Sequence, residues 1–149
     1  MRTKQTYEGI LSQLGDIYKK VREEPRIREQ DFGNPRDQFI DFTLDPDFFK
    51  MGSFFYRFPN GENGADVYDR ISSFFYTLHR NFLKNDYPEN VVIITHGMLM
   101  RLFLMRWYHW TVEEFENLKN PPNCYICNMI LNREKYYLEE NFPNIKTDF

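Results

Sequence analysis

Cysteine is scarce in this sequence, its charge is nearly balanced, and no apolar run approaches the length of a membrane span. Two cysteines in 149 residues, Cys124 and Cys127, cannot build a disulfide framework, so a reducing, cytoplasmic compartment is expected. Lys plus Arg number 19 against 22 Asp plus Glu, for a net charge of −3. That total supplies no bulk attraction for nucleic acid or for an anionic membrane, and neither is expected as a partner. The longest clean apolar stretches, such as Val91-Val92-Ile93-Ile94, fall far short of a bilayer crossing. The opening Met1-Arg2-Thr3-Lys4-Gln5-Thr6 has no apolar segment of the kind a secretory signal needs. Repeats, Gly/Ser linkers and low-complexity blocks are missing too, which leaves a single unit. What is present, 42% hydrophobic and 18% aromatic residues with 28% charged, is enough for a packed core and excludes a wholly disordered chain.

Along the chain, Tyr7, Ile10, Leu11, Leu14, Ile17, Tyr18 and Val21 share one helical face and predict a helix over 3–22. Residues 24–58 are irregular, punctuated by Pro25, Gly33-Asn34-Pro35, Asp45-Pro46 and Gly52. Long ordered loops of this kind are commonly functional. After Pro59-Asn60-Gly61, residues Val67, Ile71, Phe74, Phe75, Leu78 and Phe82 mark a second amphipathic helix at roughly 64–84. The β-branched run 91–95 reads as a strand buried on both faces. It leads through His96-Gly97 into an apolar helix over 98–110 carrying Arg101 and Arg106. Thr111-Val112-Glu113-Glu114 has capping-box spacing. A further strand is predicted over 124–131, with a turn at 132–135 leading into Tyr136-Tyr137-Leu138. Alternating helices and strands argue for an α/β sheet with helices on both faces.

Four places carry chemistry. His96 stands at the carboxyl end of the predicted central strand, where open α/β sheets bind ligands. Gly97 beside it admits a ligand close to the backbone, and the helix that follows favours an anion. A histidine there also serves simply as a strand-end cap. Arg101, one turn on, is placed to face the same crevice. The segment Pro25-Arg26-Ile27-Arg28-Glu29-Gln30-Asp31-Phe32-Gly33 reads alone as a solvated charged loop, yet a carboxylic acid among arginines suits proton donation to a leaving oxygen. Tyr56-Arg57-Phe58-Pro59-Asn60-Gly61-Glu62-Asn63-Gly64 precedes Arg70, with Glu62 favourably placed near a helix start. Arg2 opens the first helix, a position from which a guanidinium can meet phosphate bidentately. Cys124-Tyr-Ile-Cys127 has half the spacing of a zinc site but lacks a second pair, and is read as buried core cysteines. His79 and His109 are read as packing or surface residues.

Taken together, the blocks Arg2-Thr-Lys-Gln-Thr-Tyr-Glu, Arg26-Ile-Arg-Glu29-Gln-Asp-Phe-Gly33, Tyr56 through Glu62 to Arg70, and Val92-Ile-Ile-Thr-His96-Gly-Met-Leu-Met-Arg101 resemble the histidine phosphatase superfamily, the phosphoglycerate-mutase-like proteins. The resemblance implies a three-layer α/β/α sandwich with a mainly parallel sheet. It implies phosphoryl transfer from a small phosphorylated metabolite to a histidine in an N-terminal Arg-His-Gly motif, then to water or a second acceptor. Carried over by position, Glu29 is the acid that protonates the leaving oxygen, and His96 stabilises the transferring group. Arg2, with Gly97, binds phosphate, while Tyr56, Arg57, Glu62, Arg70 and Arg101 contact the rest of the substrate. The short interval from Glu29 to His96 resembles the phosphatase branches and favours hydrolysis over mutase activity. No metal or organic cofactor is implied, because arginines and histidines supply the positive charge.

The sequence departs from this pattern in one respect. No Arg-His-Gly occurs, and the histidines are His79, His96 and His109 alone. The expectation is therefore an incomplete domain, 1–149, whose first strand and nucleophile belong before Arg2 and which is inactive by itself. The alternative is a non-catalytic phosphate-binding or scaffold module. Loss of a central strand leaves sheet edges unpaired, so the isolated chain is expected to be poorly stable or to self-associate. Equilibrium unfolding with sedimentation tests this, and a sharp, reversible, monomeric transition would overturn it.

Overall fold

The structure is a computed structural model that describes residues 2–15, 20–33, 45–132 and 135–138. Its core is built by two helices, α3 (Gly64–Phe82) and α4 (Gly97–Tyr108). Asn63 starts α3 through a reciprocal cap: its side chain accepts from the Asp66 N–H, and the Asp66 carboxylate accepts from the Asn63 N–H. The predicted apolar face of α3 is the one that is buried, with Val67 and Ile71 fully enclosed. In α4 the sequence is apolar nearly all round, and Leu99, Leu102 and Leu104 are shut away from solvent. Phe75 of α3 meets Phe103 and Trp107 of α4 edge-on, and Arg106 donates to the Ser72 hydroxyl while lying over Tyr68 and Phe75. Helix α4 ends at His109, whose left-handed backbone returns its N–H to the Met105 carbonyl.

The capping box at Thr111 opens the predicted short helix, α5 (Val112–Glu116), whose Phe115 is fully buried. A helix the sequence reading leaves as loop, α2 (Pro46–Phe55), packs beside it. Asp45-Pro46 is a helix start rather than a turn: Asp45 accepts from the Asp47 N–H, and proline needs no donor in the first turn. Gly52, at φ 73°, breaks α2. Glu116 fills the break, accepting from the Phe54 N–H and the Ser53 hydroxyl at 2.8 Å each. A Cβ on Gly52 would stand 2.8 Å from that carboxylate.

Four further expectations change. The first helix, α1 (Arg2–Leu14), is shorter than 3–22, because Gly15 closes it with φ 67° and an N–H to the Leu11 carbonyl. Ile17 and Tyr18 lie outside the described residues, and α1 buries no residue. The segment 91–95 joins no ladder among the described residues, and Val91 and Val92 are exposed rather than buried on both faces. A β-branched run becomes a strand only when a neighbour pairs with it. The strand expected over 124–131 is reduced to β1 (Met129–Asn132), and Cys124, at φ 62°, is itself not extended. It pairs antiparallel with β2 (Lys135–Leu138), Asn132 opposite Lys135, as the predicted turn requires. This hairpin is the sheet present among the described residues. Cys127 packs against the core, where burial raises its thiol pKa, whereas Cys124 is exposed and so is not the core cysteine expected. His79 sits at the surface between the Phe75, Phe82 and Trp107 rings. No described helix is long and apolar enough to cross a membrane.

A single turn of 3₁₀ helix, Pro25–Ile27, is fastened to α3 by Arg26. Its guanidinium meets both oxygens of Glu24 and donates to the Ser73 carbonyl and the Thr77 hydroxyl. Those bonds hold the Glu24 carboxyl at about 2, well below its ordinary 4.5. A depressed carboxyl stabilises the fold above its unfolded pKa and ceases to do so as pH falls through the folded one. Glu24→Gln is therefore expected to lower the urea midpoint at pH 7, with the gap to wild type narrowing between pH 4.5 and 2; a gap independent of pH would refute this account.

Candidate functional site

The loop after Arg26 has no strand to hold it, and side chains fix its course. Arg70, from the second turn of α3, donates through Nη1 to the Arg26 and Arg28 carbonyls at 2.7 and 2.8 Å and through Nη2 to the Glu29 carbonyl at 3.1 Å. Its Nε and its second Nη2 hydrogen go to Glu62, at 3.1 and 3.0 Å. Glu62 also accepts from Arg28 and from the Asp31 N–H, and its own N–H donates to the Asp31 carbonyl at 2.7 Å. Burial works to raise the Glu62 carboxyl, but the bonds from Arg70, Asp31 and Arg28 prevail and hold it below the ordinary carboxylate range. Gln30 is buried and donates to the Glu62 carbonyl at 2.9 Å. The two segments run so close that a Cβ on Gly61 would meet the Asp31 carbonyl oxygen at 2.4 Å. Only glycine fits there.

This frame delivers the Glu29 carboxylate to the amino end of α4. Its Oε1 accepts from the Leu99 N–H at 3.2 Å and from the Gln30 N–H at 3.1 Å. His96 occupies the N-cap position without capping the helix with its side chain. Glu29 therefore satisfies one of the donors a helix start leaves open, from a segment 70 residues away. The other carboxylate oxygen lies 4.0 Å from His96 Nδ1, an electrostatic contact longer than a hydrogen bond. Both side chains are about four-fifths enclosed, at 18% and 21% exposure. Burial lowers the His96 pKa, Glu29 opposes that, and the charge of Arg2 adds to it. Thr95, donating to the Ile27 carbonyl at 3.0 Å, ties the segment before His96 to the same loop. Gly97 lies against Asn120 and Pro121.

Of the residues predicted from sequence, Glu29, His96 and Gly97 are thus gathered at the start of α4, with Arg2 near enough for its charge to act on His96. The remainder are engaged with the protein itself. Arg70 and Glu62 form the frame. Arg57 is an exposed partner of Asp66, 2.6 Å away. Tyr56 is buried and donates to Asp45 at 2.8 Å. Arg101 is buried between α4 and α5, donating to the Phe115 carbonyl at 3.0 Å and to Asn120 at 3.3 Å, with its guanidinium over the Phe115 ring. Sequence reasoning misses Gln30 and Asn120. The first is flagged only by its position beside Glu29, and nothing local marks the second. Among the described residues no three His, Cys, Asp or Glu side chains are grouped to hold a metal.

A carboxyl group, an imidazole and an arginine charge around a helix amino end can bind a phosphoryl group and exchange a proton with it. The chain is 45% identical to the broad-range acid phosphatase DET1 of Saccharomyces cerevisiae, over 83% of this chain and 39% of that protein. It is 47% identical to two Arabidopsis thaliana proteins, the phosphoglycerate mutase-like proteins AT74H and AT74, over 70% and 71% of this chain and 39% and 35% of theirs. The chain thus spans less than two fifths of the length of these relatives. The family pattern of the histidine phosphatase superfamily (branch 1) matches residues 1–142. That match, which includes all four sequence blocks, places this chain in the histidine phosphatase superfamily, whose members share an α/β, phosphoglycerate-mutase-like fold.

Proposed function

We propose that this chain carries the acid and anion-stabilising part of a phosphomonoesterase that works through a phosphohistidine. The observation that carries the reading is the Glu29 carboxylate, held by the Leu99 N–H and 4.0 Å from His96. In this scheme a histidine nitrogen attacks phosphorus, the bond from phosphorus to the ester oxygen breaks, and the Glu29 carboxylic acid protonates the departing oxygen. The resulting carboxylate then takes a proton from water as the water oxygen attacks the phosphohistidine, releasing orthophosphate and restoring the acid. His96, Arg2 and the amino end of α4 stabilise charge on the phosphoryl oxygens. The yeast relative is a broad-range acid phosphatase by name, which supports hydrolysis; the substrate in this reading is a small phosphorylated metabolite.

The same reading makes 1–149 part of an α/β/α sandwich with a mainly parallel sheet, in the cytoplasm. It assigns the nucleophile to a segment outside these residues, because they contain no Arg-His-Gly. Self-association would use 91–95, which pairs with no strand among the described residues. The missing motif also supports the second reading, a phosphate-binding or scaffold module without turnover.

In the whole protein, Glu29→Gln is expected to slow hydrolysis of alkyl phosphates by about 10²–10⁴-fold and of p-nitrophenyl phosphate much less. Equal slowing of both removes Glu29 from the acid role. Orthophosphate and vanadate are expected to inhibit; binding of either without any phosphomonoester turnover would select the second reading.

A further inference from the structure

An arginine side chain offers five N–H donors, and Arg70 has all five engaged: two on the Glu62 carboxylate and three on the carbonyls of Arg26, Arg28 and Glu29. It has none left for a substrate oxygen unless a bond to the protein is given up. Three of its acceptors belong to a single stretch of backbone that ends at Glu29, so one planar group fixes the path of that stretch. Glu62 holds the other edge of the guanidinium and reaches the Asp31 N–H and the Arg28 side chain. The backbone on both sides of Glu29 is therefore tied to one ion pair. We propose that Arg70, backed by Glu62, is a positioning residue that sets the Glu29 carboxylate against the amino end of α4 and His96, in place of the substrate contact implied for it by the family resemblance. Lysine, a compact ammonium with three donors, cannot span these acceptors.

The geometry stands on its own, and only its catalytic consequence rests on the proposed function. The test follows the His96 imidazole titration by proton NMR in the whole protein, the resonance being assigned by its loss in His96→Asn. The charges bearing on this imidazole are Glu29 from the loop, which raises its pKa, and Arg2 from α1 and the amino group at residue 1, which lower it. Glu29→Gln is expected to lower the midpoint. Arg70→Lys is expected to lower it too, and to add nothing once Glu29 is already Gln. An unchanged midpoint in folded Arg70→Lys overturns the proposal, as does an equal further shift in the double variant. If Arg70→Lys does not fold by circular dichroism, Glu62→Gln is read in the same two backgrounds by the same criteria. Phosphomonoester turnover is measured alongside, where Arg70→Lys is expected to lower kcat for poor leaving groups with KM little changed. A lowered midpoint combined with turnover indifferent to Glu29→Gln supports the positioning role while removing the acid role, so the two readings fail separately.

Discussion

The pairing of Arg70 with Glu62 is the constraint on which the arrangement around Glu29 depends. Residues 28–33 have no ladder or helix to satisfy their peptide groups, and Gln30 among them is buried, where an unpaired donor or acceptor costs about 1–3 kcal/mol. The guanidinium and the carboxylate meet this demand directly, taking up the carbonyls of Arg26, Arg28 and Glu29 and the N–H of Asp31. An enclosed ion pair is itself expensive to desolvate, and its stability here comes from the additional bonds on both partners. The depressed Glu62 carboxyl records the balance, since burial alone would have raised it.

From that frame the electrostatics of α4 follow. A helix start carries partial positive charge and open N–H groups, and His96 at the N-cap makes no side-chain bond to them. Glu29 reaches in instead. Its carboxylate serves the helix and the histidine together: it takes the Leu99 N–H and offsets part of the cost of burying the imidazole. Arg2 acts in the opposite direction on His96. One carboxylate and one arginine therefore bias the same imidazole in opposite senses.

Much of this was readable from residue order. The 3.6-residue spacing of Val67, Ile71, Phe74, Phe75 and Leu78 specified α3 and its buried face, since one continuous stripe can be enclosed in only one way. Thr111 with Glu114 marked α5 because the cap is a local bond. His96-Gly97 before an apolar run located the start of α4. The misread segment 91–95 and the missed helix α2 share one cause, which is that both are decided by partners distant in sequence. Val91 and Val92 have strand chemistry, but strand pairing is a property of neighbours. Asp45-Pro46 is a turn signal and a helix-start signal alike, and Glu116, from α5, favours the helical outcome by capping the turn resumed after Gly52.

The residue types of the candidate site were likewise present in sequence, whereas their division of labour was not. Short-range chemistry and periodicity determined α3, α4 and α5, and the block order determined the family. Whether an arginine is free for a ligand depends on how many acceptors surround its donors, and for Arg70 and Arg101 those acceptors come from other elements. Only tertiary packing brought Glu29 to Leu99 and turned Arg70 inward, because both outcomes depend on bonds between groups tens of residues apart.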